Sequence, residues 1–243
     1  MAIKDRSVTI STWNLAWATP GSDALDTMLA RLASHEPQII CLTEGYTGGV
    51  PDYGYVITGE ADWGYSSPAD RRKVMLWSKS PWREVDQLGH ADLPSGRFVS
   101  GVTDTDIGPL RMIGVCIPWR DAHVRTGRRD REPWQDHLTY LDGLGPLLED
   151  RTTRTVLLGD FNQRMPRRWS PEHVYERLVT TLGSQFEVVS RGRLEPVRAQ
   201  AIDHIAISSD LRAEAVRSLS NTDDQGRELS DHFGVSATIS VAS

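Results

Sequence analysis

The chain has 243 residues, of which 39% are hydrophobic and 25% are charged, and its formal net charge is −6. This length accommodates one large domain or two small ones and can bury a sizeable core without disulfide bonds. The acidic balance argues against a general polyanion-binding protein, unless a local basic patch overrides it.

The N-terminal part of the chain predicts a strand-helix-strand unit. Residues 8–13 have the β-branched and apolar composition of a strand, which ends at Asn14. A helix with Ser22 as its N-cap follows, because apolar residues recur there at helical spacing. Residues 38–43 predict a second strand, and this strand ends at Glu44. Both strands therefore end in a polar side chain.

Short strands recur through the middle of the chain. Residues 45–72 read as loops with a short strand at 55–58. Further strands are predicted at 73–78, 96–103 and 110–117. This spacing favours a sandwich of antiparallel strands over a Rossmann sheet.

The second half of the chain repeats the strand-helix-strand pattern. An arginine-rich loop precedes a helix that begins near Trp134, and a strand at 155–158 then leads into Gly159-Asp160-Phe161-Asn162. Ser170 and Pro171 fit the N-cap and first position of another helix. The remaining predicted strands are 186–189, 205–207 and 234–241. Because no linker divides the chain, we expect residues 1–243 to form one α/β domain with two related halves, at 8–43 and 111–158.

Polar side chains stand at the start or the end of five predicted strands: Asn14, Glu44, Asp160, Asn162, Asp203, Asp231 and His232. Each of them alone fits a turn or a surface position. Together they form a coherent chemical set, since carboxylate and amide oxygens suit Mg²⁺ or Mn²⁺ and an imidazole beside a carboxylate suits proton transfer. The set predicts metal-assisted attack of water on a phosphate ester.

Five segments carry a resemblance to a known family: Ser11-Thr12-Trp13-Asn14, Thr43-Glu44, Gly159-Asp160-Phe161-Asn162, Asp203-His204-Ile205 and Ser230-Asp231-His232. In this order they resemble the endonuclease/exonuclease/phosphatase superfamily, which includes DNase I and the exonuclease III-like nucleases. The resemblance spans residues 8 to 241. It implies a four-layered α/β sandwich, with two packed mixed β-sheets flanked by helices, and a Mg²⁺-dependent phosphoesterase, with Mn²⁺ as an alternative ion.

The resemblance also implies roles for individual residues. Glu44 is similar to the principal metal ligand, with Asn14 and Asp231 close by. Asp160 resembles the residue that orients or deprotonates the attacking water, and Asn162 the donor that holds a non-bridging phosphate oxygen. The remaining pair is His232, which resembles the imidazole that contacts the phosphoryl group, and its carboxylate partner Asp203.

Two positions depart from the family pattern. Cys116 stands where many members have His or Tyr, and a thiol is a weak hydrogen-bond donor. Either Arg120 or His123 compensates, or phosphate is bound differently. Ala16 replaces an Asp of the abasic-site nucleases, which argues against close equivalence to that branch.

The substrate is less constrained than the reaction. Arginine-rich loops at 120–131 and 164–168 flank the strand ends, and Arg forms bidentate bonds to phosphate, although a solvated loop is equally compatible. The substrate-binding candidates are Trp119, Arg120, His123 and Arg164. Four Trp residues stack on bases or pack at the roots of loops: Trp17, Trp63, Trp119 and Trp169. The leading prediction is a phosphodiesterase with DNA or RNA as candidate substrate, and the alternatives are a phosphomonoesterase on a small or lipid-derived phosphate and a catalytically silent binding protein.

The cysteines and the hydropathy pattern bear on location. Cys41 and Cys116 lie in apolar strand-like segments, which favours free buried thiols over a disulfide between neighbouring strands. The N-terminus lacks a signal-peptide pattern, and no apolar run approaches 18 residues. We therefore expect a cytoplasmic protein without membrane contact and without an evident protein partner.

Overall fold

The computed structural model describes residues 6–149 and 152–242. Within them lie three α-helices: α1 (Asp23–Ala33), α2 (Gln135–Leu147) and α3 (Glu172–Leu182). Eight strands precede α3: β1 (Ser7–Asn14), β2 (Ile39–Tyr46), β3 (Tyr55–Thr58), β4 (Arg71–Ser78), β5 (Trp82–Asp86), β6 (Phe98–Thr105), β7 (Gly108–Cys116) and β8 (Thr155–Asp160). Six strands follow it: β9 (Phe186–Val188), β10 (Arg193–Leu194), β11 (Ala199–Gln200), β12 (Asp203–Ser208), β13 (Leu211–Leu219) and β14 (Gly234–Val241).

The first sheet has the strand order β13-β14-β1-β2-β4-β3. Its central strands β1 and β2 are parallel, because helix α1 carries the chain back between them, and the other pairs are antiparallel. Ser22 caps α1 by accepting a hydrogen bond from the backbone N–H of Leu25 at 3.3 Å, as predicted. The buried face of α1 packs on one side of this sheet, against residues such as Trp13 and Trp77.

The second sheet has the order β5-β6-β7-β8-β12-β9. It repeats the arrangement of the first, since β7 and β8 are parallel and α2 joins them. Helices α2 and α3 cover its outer face, where Tyr140, Leu144 and Leu178 join one apolar cluster with Leu157. The predicted strand-helix-strand halves are thus the two parallel centres of the two sheets.

The inner faces of the two sheets pack against each other. Ile10 and Leu76 of the first sheet belong to the same buried cluster as Met112, Leu158 and Ile205 of the second. The order of layers is therefore α1, first sheet, second sheet, and α2 with α3. This confirms the predicted four-layered α/β sandwich.

Some elements differ from the sequence-based expectation. Strands β5 and β13 are not apparent from the sequence, because both are edge strands with exposed, polar residues. Helix α3 begins one residue later than predicted, with Pro171 as its N-cap. Helix α2 continues through Gly145 and Pro146, because its buried face holds it on the sheet.

Both cysteines are free and buried, as predicted. In the described parts of the chain, no helix has the length and apolarity to span a membrane. The first five residues, where a signal peptide would begin, lie outside the described residues.

Gly159 allows β7 and β8 to approach closely just before Asp160. It has φ +131°, a conformation that L side chains rarely adopt, and it pairs with Val115. A Cβ atom at this position would lie 2.0 Å from the carbonyl oxygen of Val115. Only glycine therefore fits here, and Asp160 depends on it for its position.

We expect Gly159→Ala to lower the free energy of unfolding by about 3 kcal/mol or more, because it combines a backbone clash with an unfavourable φ. Chemical denaturation monitored by circular dichroism measures this loss. Gly145→Ala is the matched control, since a Cβ atom there would meet no atom within 4 Å outside its own helix, and helix interiors favour Ala by about 1 kcal/mol. Equal stability of the two variants would contradict this role of Gly159.

Candidate active site

Strand ends of both sheets meet at one edge of the sandwich. Asp160 ends β8 and pairs with Asp203, the first residue of β12. Asn14 ends β1 in the other sheet, and its Nδ2 donates a hydrogen bond to Oδ2 of Asp160 at 3.0 Å. This bond joins the two sheets. The strand ends predicted to converge are therefore in direct contact at this edge.

Asp160 accepts further hydrogen bonds from Asn162. The backbone N–H of Asn162 lies 2.8 Å from Oδ1, and its Nδ2 lies 2.9 Å from Oδ2. A positive φ of +52° at Asn162 folds the chain back to make both contacts. Nδ2 also donates to the carbonyl oxygen of Ile117 at 2.9 Å. The amide of Asn162 thus orients Asp160, and its donors are directed at protein oxygens rather than at open space.

The environment of Asp160 changes its acidity. Burial raises its pKa, and the charges of Asp203 and Glu44 raise it further, while His232 and the N–H of Asn162 lower it. The result is a pKa of about 7. A carboxylate with such a pKa accepts a proton readily near neutral pH.

His232 and Asp203 form a second contact between the sheets. Nδ1 of His232 lies 2.5 Å from Oδ2 of Asp203. Trp13 Nε1 donates to the carbonyl oxygen of His232 at 2.9 Å and fixes the backbone. Burial lowers the pKa of His232, but Asp203 and Asp160 outweigh burial and raise it to about 10. The imidazole is therefore a cation at neutral pH with Nε2 left to contact a ligand.

Glu44 has a cationic neighbour that the sequence did not reveal. Nζ of Lys73, in the adjacent strand β4, lies 2.5 Å from Oε1 of Glu44. Glu44 adopts φ +50° and does not end its strand as predicted, because β2 continues to Tyr46. The one available signal was Lys73 itself, a charged residue directly before the apolar residues of β4.

The donor set at this edge suits a divalent cation. Oxygen atoms of Asp160 and Asp203 and a ring nitrogen of His232 lie within 4.8 Å of one another, and the two carboxylates are the available donors because the imidazole is cationic. Oδ1 of Asp203 is buried and accepts no hydrogen bond from the described residues. The charge of Glu44 also acts on Asp160, so a third carboxylate adds to the negative potential at this edge. Oxygen donors of this kind match the preference of Mg²⁺ and Mn²⁺.

Cys116 is enclosed and does not replace a His or Tyr. Its side chain is 1% exposed, and burial raises the pKa of the thiol to about 12. Beside it lies Arg97, whose Nη1 donates to the carbonyl oxygen of Cys116 at 3.3 Å and whose buried Nη2 donates no hydrogen bond to the described residues. A fully buried arginine is thus the group next to this position, and no local pattern in the sequence indicates it.

The loop after β7 separates the predicted substrate contacts. Trp119 and Arg120 follow the strand end with half-exposed or exposed side chains. His123 is buried, with Nε2 3.2 Å from the carbonyl oxygen of Trp63 and Nδ1 accepting from the N–H of Arg128 at 3.2 Å. Both ring nitrogens are occupied inside the protein, so His123 holds the loop and the expectation that it contacts substrate is not supported.

The four tryptophans predicted to stack or to pack divide into two pairs. The rings of Trp17 and Trp63 stack on each other with centroids 5.6 Å apart. Trp119 and Trp169 are 45% and 73% exposed. The second pair is therefore the more exposed one, although two arginine side chains lie over the ring of Trp169.

Two buried histidines brace the loop that follows Asn162. Nδ1 of His137 lies 2.7 Å from the carbonyl oxygen of Pro118, and its Nε2 lies 2.8 Å from Nε2 of Gln163. His204 lies between the hydroxyl of Ser190 and the carbonyl oxygen of Gln163. Each ring donates once and accepts once, which requires the neutral form. Burial accordingly lowers the pKa of both imidazoles to about 4.

We expect His137→Asn to weaken the acid sensitivity of folding. Because the folded-state pKa of about 4 lies below the ordinary value, stability is fully present above about pH 6.5 and is lost as the pH falls towards 4. At pH 5 this loss amounts to about 2 kcal/mol for one imidazole. The free energy of unfolding, measured with urea at pH 7.5 and 5.0, should fall by that much less in the variant than in the wild type. His173→Asn, at an exposed position of α3, is the control and should retain the wild-type drop.

Comparison with known proteins agrees with the geometry. The family model described as the Endonuclease/Exonuclease/phosphatase family matches residues 11–232. No curated protein matches the chain.

Several solved structures share the fold. A structure of the 3' phosphatase NExo from Neisseria, bound to a product DNA hairpin, has a TM-score of 0.70 at 19% identity and covers 95% of this chain and 98% of its own. A humanized TDP2 from D. rerio has a TM-score of 0.70 at 15% identity, and the match covers 97% of this chain and 99% of the TDP2 chain. The endonuclease domain of TRAS1, a telomere-specific non-LTR retrotransposon, has a TM-score of 0.64 at 15% identity. The match covers 97% of this chain and 99% of the TRAS1 chain.

Proposed function

The chain belongs to the endonuclease/exonuclease/phosphatase family, and on this premise we propose that it is a divalent-metal-dependent phosphodiesterase with DNA or RNA as candidate substrate. One observation carries the proposal. Asp160, which ends β8, and His232, in the loop before β14 of the other sheet, are brought to one edge and held there by Asn14 and Asp203. A poised carboxylate beside a cationic imidazole suits hydrolysis of an anionic ester.

Asp160 is the proposed acceptor for the proton of the attacking water. The water oxygen bonds to phosphorus as the bond to the leaving ester oxygen breaks, and the leaving oxygen takes its proton from solvent. Three hydrogen bonds from Asn14 and Asn162 fix the orientation of the carboxylate. Its raised pKa of about 7 makes it an effective base near neutral pH.

His232 is the proposed donor to a phosphoryl oxygen. Asp203 holds Nδ1, which fixes the ring and keeps it cationic, so that Nε2–H can form a charge-assisted hydrogen bond. The charge on the phosphoryl oxygens increases in the transition state, where such a donor contributes most. Asp203 is therefore a positioning residue.

The residues proposed to hold Mg²⁺ or Mn²⁺ are Glu44, Asn14 and Asp231. When bound, such an ion would withdraw charge from a phosphate oxygen and favour ionisation of water. Lys73 keeps the carboxylate of Glu44 in place. Asp231 is exposed, with Oδ1 3.9 Å from Nε2 of His232.

The proposed substrate contacts lie around this centre. Trp119, Arg120 and Arg164 are exposed or half-buried and adjoin the strand ends. Since both sheets contribute to one site, we propose that residues 1–243 form one catalytic domain.

The test is a panel of bis-nitrophenyl phosphate, mono-nitrophenyl phosphate, plasmid DNA and RNA, assayed with Mg²⁺, Mn²⁺ or EDTA. We expect the diester to be hydrolysed faster than the monoester and EDTA to abolish turnover. Preference for the monoester would favour the phosphomonoesterase alternative. Absence of metal-dependent turnover on all four substrates would count against any phosphoesterase.

A further inference from the structure

A basic cavity adjoins the proposed active site. It has a volume of about 410 Å³, and His232 and Asp203 line one part of it. The loop that follows Asn162 and the hairpin of β10 and β11 line another part. Arg164, Arg168 and Arg193 extend into this lining from two separate segments of the chain.

The loop and the hairpin are joined by backbone and side-chain bonds. The N–H of Gly192 donates to the carbonyl oxygen of Met165 at 2.8 Å. Nε2 of Gln200 donates to the carbonyl oxygen of Pro166 at 3.0 Å. These bonds place Arg193, which follows Gly192, beside the segment that carries Arg164 and Arg168. The grouping of arginines is thus built by the fold.

Two of these arginines lie over the ring of Trp169. The guanidinium carbons of Arg164 and Arg168 lie 4.5 and 4.3 Å from the centroid of its ring. Burial lowers the pKa of Arg164, and the neighbouring charge of Arg168 lowers it further. Two like charges held on one ring repel each other, and a bound anion would relieve that repulsion.

None of the three arginines has an acidic partner within residues 6–149 and 152–242. Arg198, which also lines the cavity, differs because Glu195 lies 3.1 Å from its Nε. The carboxylates of the cavity, Asp203 and Asp231, stand at its catalytic end beside His232. The cavity therefore has a catalytic end and an uncompensated basic end.

We propose that Arg164, Arg168 and Arg193 bind a second phosphate group of the substrate while His232 contacts the phosphate that is hydrolysed. This inference rests on the proposed function and narrows it to esters that carry a further phosphate near the scissile one. Guanidinium groups bind phosphate through paired, charge-assisted hydrogen bonds, and the ring of Trp169 holds two of them in place. The second phosphate can belong to a polynucleotide or to a small bisphosphorylated molecule.

Three substrates separate these cases. The first is thymidine 5'-(4-nitrophenyl phosphate), which has one phosphate. The second carries an added 3'-phosphate, and the third carries a 3'-methylphosphate diester that imitates a continuing strand. We expect kcat/KM to be at least about tenfold higher for the second or third than for the first, mainly through KM. A preference confined to the second indicates a small molecule, and a preference shared by the third indicates a polynucleotide.

The variants assign this preference to the cavity. The quantity compared is the ratio of kcat/KM for a substrate with the second phosphate to kcat/KM for the substrate with one phosphate. We expect Arg164→Ala with Arg168→Ala to reduce this ratio to near one. The paired Arg→Lys variant should give an intermediate ratio, because Lys lacks the bidentate geometry. Arg6→Ala with Lys79→Ala removes the same charge from exposed positions at the opposite strand ends and should retain the ratio. A ratio near one in the wild type, or a ratio unchanged in the Arg→Ala pair, overturns the proposal.

A binding measurement keeps the inference separate from catalysis. Calorimetry with inorganic tripolyphosphate in EDTA should show binding to the wild type and at least about tenfold weaker binding to the Arg→Ala pair. If no substrate is hydrolysed but this difference appears, the proposed function fails and the phosphate site stands. Equal binding by both proteins overturns the site, whether or not substrates are hydrolysed. Thermal melting of the variant verifies that it is folded.

Discussion

Asp160→Asn is expected to lower kcat on bis-nitrophenyl phosphate by about 10²–10⁴-fold, the usual contribution of a positioned general base. An amide has the shape of the carboxylate but does not take up a proton from water. The substitution turns one of the two acceptor oxygens into an NH2 group that faces a donor of Asn14 or Asn162, so we expect it to lower the free energy of unfolding by about 1–3 kcal/mol. We therefore expect a large loss of activity in a variant that is less stable but still folded.

The measurement compares kcat and the melting temperature of the variant and the wild type at saturating metal. Asp142→Asn is the matched control, since this exposed residue of α2 forms an ion pair with Arg177 and lies outside the proposed site. A control within twofold of wild type shows that the chemical change alone is harmless. If Asp160→Asn retained activity within tenfold, another group would be the base.

The four-layered arrangement follows from the sequence because its central strands carry strong local signals. Residues 8–13 and 155–158 are apolar and β-branched, and a helix of regular spacing joins the two parallel strands of each sheet. Strand β13 has no such signal, since its Arg, Ala and Glu residues favour helix. It is a strand because β14 offers an edge for pairing along its whole length. Tertiary pairing overrides local propensity there.

The residues of the candidate site likewise include some that the sequence indicates and some that it does not. Gly159-Asp160-Phe161-Asn162 is recognisable from the sequence, because a glycine and two polar residues interrupt a buried strand. Lys73 and Arg97 are not, since each acquires its place from partners far away in sequence. His123 shows the opposite error: its residue type suggested a ligand contact, but Trp63 and a neighbouring N–H occupy both ring nitrogens. Residue type predicts capability, and only packing decides which atoms remain accessible.

Both the proposed base and the proposed cation lie on the boundary between the sheets. Asn14 of the first sheet holds Asp160 of the second, and Asp203 of the second holds His232 beside the first. A substitution that shifts one sheet against the other would therefore misplace both groups together. This coupling makes Asp203 a more informative target than an isolated surface residue.

Asp203→Asn is expected to impair hydrolysis more at alkaline than at acid pH, whereas His232→Ala should lower kcat/KM by about 10²–10³-fold at every pH. Asp203 is a principal cause of the raised pKa of His232, about 10, so its loss lowers that pKa towards the ordinary value. The imidazole then remains cationic at pH 6 and becomes neutral by pH 8.5, and the ratio of wild-type to variant kcat/KM rises between these values.

Adding Asp203→Asn to His232→Ala should cost little more, because the carboxylate acts through the ring. A ratio independent of pH, or additive losses in the double variant, would show that Asp203 acts on the substrate directly and not by holding His232.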